Sequence, residues 1–260
     1  MKIQVLVATM DQENHALLEK MHLETDAIVA NQCNYNSIEK FEWKGHQITY
    51  LNFSERGVGL NRNNALMRAK ADICLFADDD MIYEKDYVQT VLRAFKRNPN
   101  ADVIIFNLHA SDRKRHITKK QYRVHFWSCS RFGCARIAVK LKSIRDKGIY
   151  FNQCFGGGTE HCHGEDYIFL AECLKKNLVI YAVPDYIANL TEERNSTWFT
   201  GFNEKYFRDQ GELFKVAAPK IWKLMCLQDA IRHKKIYKRP FWTTYKLMCN
   251  NKPSLTPKKF

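Results

Sequence analysis

The sequence lacks any apolar run of the roughly 20 residues that a membrane-spanning helix requires. Its opening, MKIQVLVATM, is followed by DQENH rather than by the small residues of a cleavage site, so we interpret it as a first buried strand and not as a signal peptide. Internal repeats and long low-complexity segments are also missing. These absences predict a globular protein of the cytoplasm.

The nine cysteines lack the regular spacing of a disulfide framework, and their number is odd. Together with the missing export signal, this favours free thiols in a reducing compartment. The segments HCHGED and CSRFGC could supply zinc ligands, but neither has the paired spacing of a structural zinc site. Because no single Cys–His pair stands out either, the sequence supports neither a zinc site nor a cysteine nucleophile.

The net charge of +13 is concentrated at one end of the chain. Residues 215–260 carry twelve Lys or Arg and one acid, Asp229, whereas residues 1–214 carry 29 basic and 27 acidic side chains. This shift predicts a nearly neutral body, 1–214, followed by a basic and aromatic extension, 215–260. Such an extension could dock on an anionic membrane surface, grip nucleic acid, or fold as a helical cap on the body.

Short apolar runs alternate with helical patterns along the chain. Strands are predicted at 3–8, 27–31, 48–53, 73–77 and 102–108, with helices in NHALLEKM, GLNRNNALMRAKA and DYVQTVLRAFKRN. Later segments predict an antiparallel ribbon in QYRVHFW, helices in CARIAVKLKSIRDKG and GEDYIFLAECLKKN, and a strand in LVIYAV. The alternation predicts one large α/β domain with a mixed, mainly parallel sheet flanked by helices and a C-terminal helical tail.

Three consecutive aspartates, Asp78 to Asp80, follow the predicted strand ICLFA. Alternation in an extended chain would place Asp78 and Asp80 on one side and Asp79 on the other, in a structural role. Two carboxylates at the carboxyl end of a buried strand suit Mg²⁺ or Mn²⁺. The alternative is a solvated acidic turn.

Two further segments carry candidate chemistry. In GVGLNRNNAL, glycines precede a helix whose first turn contains Arg62 and Asn63, which suits a diphosphate, although many helices begin in this way for solubility. In FGGGTEHCHGED, Glu165 and Asp166 begin a helix. These acids could be ordinary capping residues, or one could be the general base that deprotonates an attacking hydroxyl.

Taken in order, VLVATM, GVGLNRNNAL, FADDDM and GED resemble the inverting glycosyltransferases of family 2, which have a GT-A (Rossmann-like) fold, over roughly residues 1–215. The segments GFNEKYFRDQG and STWF look like bacterial members that build cell-surface polysaccharide. The resemblance implies metal-dependent transfer of a sugar from a nucleotide sugar, UDP-linked, to a hydroxyl of a glycan or lipid-linked oligosaccharide. It further implies that 1–108 bind the donor and 109–214 the acceptor.

The resemblance also implies roles for individual residues. Asp166 would be the catalytic base with Glu165 as its neighbour, and Asp80 would hold Mn²⁺ or Mg²⁺ together with Asp78. The residues implied at the nucleotide sugar are Thr9, Asn31, Arg62, Asn63, Asp78 and Asp79, and those on the acceptor side are Gly157, Gly158 and Trp198. Asn31 or Gln32 stands where family members often carry an acidic residue close to the nucleotide base.

Two other functions compete with this one. A nucleotidyltransferase also joins an α/β sheet to metal-binding acids, but VATMDQEN lacks the glycine and lysine that its N-terminal loop usually carries. A nucleic-acid-binding protein would account for the basic extension, but no recognised binding motif is present. We therefore expect a nucleotide-sugar donor, a glycan or lipid-linked acceptor and no nucleic acid. The cytoplasmic location becomes peripheral, on the inner face of the cell membrane, if 215–260 bind lipid.

Overall fold

The computed structural model describes residues 1–110, 116–191 and 201–250. The strands within these ranges are β1 Ile3–Met10, β2 Asp26–Gln32, β3 Ser37–Trp43, β4 His46–Phe53, β5 Ile73–Asp78, β6 Met81–Tyr83, β7 Val103–His109, β8 Tyr122–Arg123, β9 Ile137–Lys140 and β10 Ile180–Leu190. The helices are α1 Ala16–Lys20, α2 Val58–Arg68, α3 Tyr87–Arg97, α4 Phe126–Cys129, α5 Leu141–Asp146, α6 Glu165–Lys175, α7 Glu204–Ala217, α8 Trp222–Arg232, α9 Lys234–Tyr237 and α10 Phe241–Cys249.

One sheet runs through the molecule in the order β3-β4-β2-β1-β5-β9-β7-β10-β6, and β8 pairs with β10. Strands β4, β2, β1, β5, β7 and β10 share one direction, whereas β3, β6, β8 and β9 run against it. The predicted mixed, mainly parallel sheet is confirmed. The carboxyl ends of its parallel strands lie along one edge, where open α/β sheets bind their ligands.

Helices cover both faces of this sheet because its central strands are apolar on both sides. In β1, Leu6 packs into the core on one face, while Val5 and Val7 pack into the core on the other. The first core also holds residues of α2, α6 and α7, and the second holds residues of α1 and α3. This three-layer arrangement fixes the ends of β1, β5 and α6 relative to one another.

Two sequence-based predictions of local structure are wrong. The segment 134–148 was expected to be one helix, but it forms a 3₁₀ turn at Cys134–Arg136, the strand β9 and the short helix α5. Strand β9 fills the gap between β5 and β7, so its backbone gains hydrogen bonds on both sides that a helix would forgo. The predicted ribbon in QYRVHFW is confined to the two residues of β8, because α4 begins at Phe126.

The basic C-terminal segment is packed on the body. Helices α8 and α10 contact α7 and each other. Met225, Cys226 and Met248 belong to the same core cluster as Phe207 and Leu213 of the body. The expected boundary between 214 and 215 is therefore wrong as a structural boundary, since it falls inside α7. Of the helices in the described ranges, none is both long and apolar enough to cross a membrane.

Candidate active site

Four charged side chains from three elements meet at the carboxyl edge of the sheet. Arg62 of α2 donates from Nη1 to Glu165 Oε1 at 2.9 Å and to Asp166 Oδ1 at 3.0 Å. Its Nη2 donates to Asp78 Oδ1 at 2.8 Å. Asp78 is the last residue of β5, and the two other acids are the first residues of α6. The structure thus brings together acids that the sequence singled out separately.

The burial of Arg62 changes the role expected for it. Its residue is only 5% exposed, both terminal nitrogens donate to carboxylates, and Nε is buried without a hydrogen-bond partner in the part of the chain that is described. The prediction that Arg62 approaches the nucleotide is wrong, because three carboxylates already occupy its guanidinium. Acids crowded this closely need a buried counter-charge, and Arg62 supplies it.

Asn63 also has a structural role. It is buried, its Nδ2 donates to the Phe151 carbonyl at 2.9 Å, and its Oδ1 accepts from the Phe151 N–H at 2.8 Å. The side chain therefore closes a pair of hydrogen bonds across the core and has no face towards a nucleotide sugar. Its effect is to fix α2, and with it Arg62, against the segment before α6.

Asp166 combines partial exposure with a strongly perturbed ionisation. Burial and the neighbouring carboxylates of Glu165 and Asp78 raise the pKa of Asp166 well above its usual range, against the opposing effects of Arg62 and of a hydrogen bond from the Cys134 backbone. Its side chain is 26% exposed. A carboxylate that is accessible and holds a proton more strongly than usual is well suited to act as a general base.

Glu165 differs from its neighbour in access. Its side chain is 11% exposed, and its carboxylate lies against Gly156, where an added Cβ would come within 2.7 Å of it. Glu165 lines neither of the cavities that Asp166 faces. Of the two acids, Asp166 is the one placed to meet a substrate, while Glu165 shares the charge of Arg62.

Two cavities of about 530 Å³ each meet at Asp166. One lies over the end of β5 and is lined by polar and charged groups, including Asp78, His116, Arg131 and Arg136. The other is lined mainly by side chains of α4, α6, α7 and the C-terminal helices. A base at the junction of two cavities can act between two substrates, one bound on each side.

Arg131, Arg136 and His116 give the first cavity its positive character. Arg136 is buried and donates to the backbone carbonyls of His116 and Arg131 at 2.9 and 3.0 Å, whereas Arg131 is exposed and lines both cavities. Burial and the charges of Arg131 and Arg136 lower the pKa of His116. Sequence reasoning found only that this segment is basic, because the chain reversals that turn these residues towards Asp78 leave no local pattern.

The aspartate triplet does not follow the expected alternation. Strand β5 ends at Asp78, and Asp79 and Asp80 lie in the turn before β6, so the extended geometry behind that prediction stops one residue too early. Thr9 Oγ1 donates to Asp79 Oδ2 at 2.6 Å. Asp79 and Asp80 both line a cavity of about 320 Å³, whereas Asp78 faces the cavity shared with Asp166. The expectation that Asp78 and Asp80 point the same way is therefore wrong.

Asn31 is removed from direct nucleotide contact. It is 1% exposed, and its amide bonds to the Gln12 backbone at both groups and to Asn52 Oδ1. The prediction that Asn31 binds the nucleotide is wrong, because its side chain ties the loop after β1 to the sheet. Gln32 is half-buried at the end of β2, and its Oε1 accepts from the Gly57 N–H at 2.7 Å.

The glycine segment supports α2 rather than the acceptor side. The Gly157 carbonyl accepts from the Val58 N–H at 2.9 Å, at the start of α2. Neither Gly157 nor Gly158 lines a cavity that contains Asp166, so their expected acceptor-side placement is wrong. Trp198, the remaining residue expected on the acceptor side, lies outside the described residues.

The histidines and cysteines of HCHGED bind neighbouring side chains. His161 Nδ1 lies 3.1 Å from Asp209 Oδ1, and His163 Nε2 lies 2.7 Å from Gln210 Oε1, so both contact α7. Within the described ranges, no group of three or more His, Cys, Asp or Glu side chains is arranged to hold a metal ion. All nine cysteines are free thiols. The segment therefore fixes the start of α6 to α7.

Comparison with known proteins agrees with this geometry. The family model described as glycosyl transferase family 2 matches residues 8–158. The crystal structure of residues 1–349 of TarS from S. aureus superposes with a TM-score of 0.61 at 14% identity, covering 95% of this chain and 90% of that chain. The same fragment in complex with UDP-GlcNAc gives a TM-score of 0.61 at 13% identity, with the same coverage. No curated protein matches this chain.

Proposed function

The chain belongs to glycosyl transferase family 2 and is a glycosyltransferase with a GT-A fold, and we propose that it moves a sugar from a UDP-linked donor to a hydroxyl of a glycan or lipid-linked oligosaccharide, with inversion. The observation that carries the proposal is the position of Asp166, which is held by Arg62 beside Asp78 and faces two cavities. Crystal structures of the similar TarS fragment contain UDP-GlcNAc or UDP, which supports a uridine nucleotide as the donor's carrier.

In the proposed reaction Asp166 takes the proton from the acceptor hydroxyl. The hydroxyl oxygen forms a bond to the anomeric carbon as the bond from that carbon to the diphosphate breaks. One oxygen of Asp166 already accepts from Arg62 Nη1 at 3.0 Å, which leaves the other to receive the proton. Because attack occurs opposite the leaving group, the configuration inverts and no covalent enzyme intermediate is needed.

The cavity over β5 suits the departing diphosphate. Negative charge grows on the leaving oxygen, and a guanidinium fixed at the same cavity stabilises that charge as it forms. Arg131 is exposed at this cavity, and Arg136 holds the Arg131 backbone in place through its carbonyl. We assign to Arg131 the contact that the sequence had led us to expect from Arg62.

The aspartates after β5 fit a divalent cation. Mg²⁺ and Mn²⁺ prefer oxygen ligands, and Mg²⁺ in particular is commonly held by one or two carboxylates together with substrate phosphates. Asp79 and Asp80 line one cavity, and Asp78 lies at the adjoining strand end. Asp80 would hold the ion, with Asp78 or Asp79 as the second carboxylate. A bound Mn²⁺ or Mg²⁺ would neutralise charge on the diphosphate oxygens.

A peripheral membrane location remains part of the proposal. On α8, Leu224 and Ile231 are more than half exposed, seven residues apart on one face, and Lys220 and Lys223 lie close by in sequence. Apolar side chains flanked by lysines bind anionic lipid surfaces. The double change Leu224→Ser and Ile231→Ser should reduce co-sedimentation with phosphatidylglycerol vesicles. Sedimentation equal to that of the wild type would contradict the lipid contact.

The transferase activity can be tested without knowing the acceptor. UDP-sugars are incubated with the full chain and Mn²⁺, and the slow release of free nucleotide to water is measured. Asp166→Ala should lower the rate by at least about 100-fold, as removal of a general base does. Asp80→Ala should also suppress turnover and should abolish the dependence of UDP binding on Mn²⁺, measured by calorimetry.

The matched control is Asp146→Ala. Asp146 is an exposed acid on α5, and its ion pair with Lys142 lies away from the site. This variant should release nucleotide at the wild-type rate. If Asp166→Ala behaved like the control with the true acceptor, the base would have to be assigned elsewhere.

A further inference from the structure

The second cavity at Asp166 is a groove whose outer wall comes from the C-terminal helices. We propose that this groove binds the acceptor as a carbohydrate chain, with Trp127 as a stacking surface and α8–α9 as the facing wall. The inference rests on the proposed function, because it takes Asp166 as the base. It gives residues 222–237 a part in substrate binding, which their basic composition alone did not suggest.

The wall from α8 and α9 is firmly built. Asp229 accepts from the Tyr237 hydroxyl at 2.7 Å and lies 2.9 Å from His233 Nδ1. Tyr237 is buried and packs edge-on against Phe207 of α7, with ring centroids 5.0 Å apart. These contacts hold the turn between α8 and α9 in one position. Groups on this wall, such as Gln228 and Arg232, therefore face the groove from a fixed backbone.

The opposite wall carries an exposed aromatic ring. Trp127 of α4 is 58% exposed, and its ring meets that of Phe126 edge-on, with centroids 5.6 Å apart. Phe126 in turn packs on the core beside Tyr167. A large ring left in solvent at the rim of a cavity, with its neighbour anchored below, is available to stack on a ligand.

The remaining lining identifies the class of ligand. Between the aromatic rings, the groove presents side chains that donate and accept hydrogen bonds, namely Ser130, Gln210 and Gln228, and one exposed guanidinium at its outer wall, Arg232. Sugars offer apolar C–H faces for stacking and hydroxyls for hydrogen bonds, so this mixture complements them. A lipid chain would leave these polar groups unpaired at a cost. The volume of about 530 Å³ lies within the roughly 300–1,000 Å³ of ligand sites.

The groove also reaches the reacting atoms. Arg131, Gly133 and Asp166 line both this groove and the cavity over β5. A sugar in the groove would present a hydroxyl to Asp166 from the side opposite the proposed donor. At Gly133 an added Cβ would lie 3.6 Å from Asp166 Oδ2, so the chain passes directly over the carboxylate.

The binding test uses methyl mono- and disaccharides as probes and saturation-transfer NMR on the full chain, with no donor present. At least one probe should bind, and Trp127→Ala should weaken it about tenfold, the loss of one aromatic stacking contact. The control is Trp242→Ala, because Trp242 of α10 is 57% exposed but does not line the groove. Binding of none of the probes, or equal loss in both variants, would overturn the groove assignment.

A second pair tests the wall. Arg232→Ala and Lys234→Ala each remove one exposed positive charge from the C-terminal helices, but only Arg232 lines the groove. We expect weaker probe binding for Arg232→Ala alone, and equal effects would refute a wall at α8. Nucleotide release by the wild type tests the transferase separately. A chain that releases nucleotide but binds no sugar loses only the groove, and one that binds sugar without releasing nucleotide loses only the transferase.

Discussion

Arg62 is one guanidinium shared by three carboxylates, each at 2.8–3.0 Å. A buried charge is tolerable only when it is paired, and here the pairing is mutual, because the acids lose more by separation from Arg62 than any one ion pair would suggest. The two acids of α6 lie next to each other and beside Asp78, so their repulsion grows if the guanidinium is removed. The geometry of Asp166 therefore depends on a residue that touches no substrate.

Removal of that charge should destabilise the fold in a pH-dependent way. Arg62→Met should lower the free energy of unfolding by about 3 kcal/mol or more at pH 7, the cost of leaving buried charges unpaired. The loss should be smaller at pH 5, because the abandoned carboxylates can then bind protons and become neutral. Urea unfolding at both pH values measures it.

Arg93→Met is the matched control for that change. Arg93 pairs with Asp86 on the surface, where both side chains are more than half exposed, and such pairs contribute little. Its unfolding free energy should stay within about 0.5 kcal/mol of the wild type. A similar loss in both variants would show that Arg62 is an ordinary surface charge in solution.

The raised pKa of Asp166 sets the acid limb of activity. The base must be ionised, so activity is lost as the pH falls through a pKa that lies above the usual carboxylate range. Asp78→Asn removes one of the negative charges that raise this pKa while keeping an oxygen for Arg62. The limb of the kcat/KM profile should then move to lower pH.

Asp146→Asn serves as the control for the pH profile. It removes an exposed charge that pairs only with Lys142, so the acid limb should not move. An unshifted limb in Asp78→Asn as well would mean that Asp78 does not interact with the group that titrates.

The start of α6 is the element on which the site depends. Gly164 precedes the helix with φ of +107°, and an added Cβ would meet Leu213 of α7 at 2.6 Å. Gly164→Ala should lower the free energy of unfolding by about 1–3 kcal/mol through strain, and should lower turnover because Asp166 shifts with the helix. Chemical denaturation and the nucleotide-release assay measure the two effects.

Gly148→Ala separates conformation from crowding. Gly148 also has positive φ, +56°, but an added Cβ there meets nothing within 4 Å. It should cost less than Gly164→Ala and leave turnover unchanged. Equal losses of stability would mean that Leu213 moves aside and only the backbone conformation matters.

The strands and helices differ in how much of them the sequence predicts. Continuous apolar runs predicted β1, β2, β4, β5 and β7 because those strands are buried on both faces. The edge strand β3 was missed, since SIEKFEW alternates half-buried and exposed residues and carries three charges. Strand β9 was taken for helix because IAVKLKSI has apolar residues at helical spacing, and only its neighbours β5 and β7 decide otherwise.

The site was predictable to the same extent. Acids after β5 and at the start of α6 carry a local signal, and the sequence singled them out. Arg131 and Trp127 carry none, because what distinguishes them is the cavity that they face. Asn31 and Asn63 were placed at the ligand for the converse reason: a sequence does not show that both groups of an amide are already bonded.

At the scale of the whole molecule, the C-terminal helices are part of the core. Gly211 of α7 lies so close to α10 that an added Cβ would come within 1.9 Å of the Met248 carbonyl oxygen. Gly211→Ala should therefore push α10 away and lower the free energy of unfolding by about 1–3 kcal/mol, as overpacking does. Hydrogen exchange should accelerate in α10 more than in β1.

Gly133→Ala is the matched control for α10. Gly133 has an ordinary negative φ and its nearest neighbour to an added Cβ is 3.6 Å away, so hydrogen exchange in α10 should not change. Unchanged exchange in Gly211→Ala as well would mean that α10 does not rest on α7. Because Met225 and Met248 are buried in the core, deletion of residues 215–260 would unfold the body rather than test membrane binding alone.

The ion cluster at Arg62 also orders events during synthesis. Arg62 and Asp166 are 104 residues apart in the chain, which a ribosome takes roughly 5–20 s to translate. Throughout that interval the nascent sheet has Asp78 as the only one of the three acids available to this guanidinium. The arginine can be buried at low cost only after α6 has emerged, so closure of the catalytic edge is a late step of folding on the ribosome.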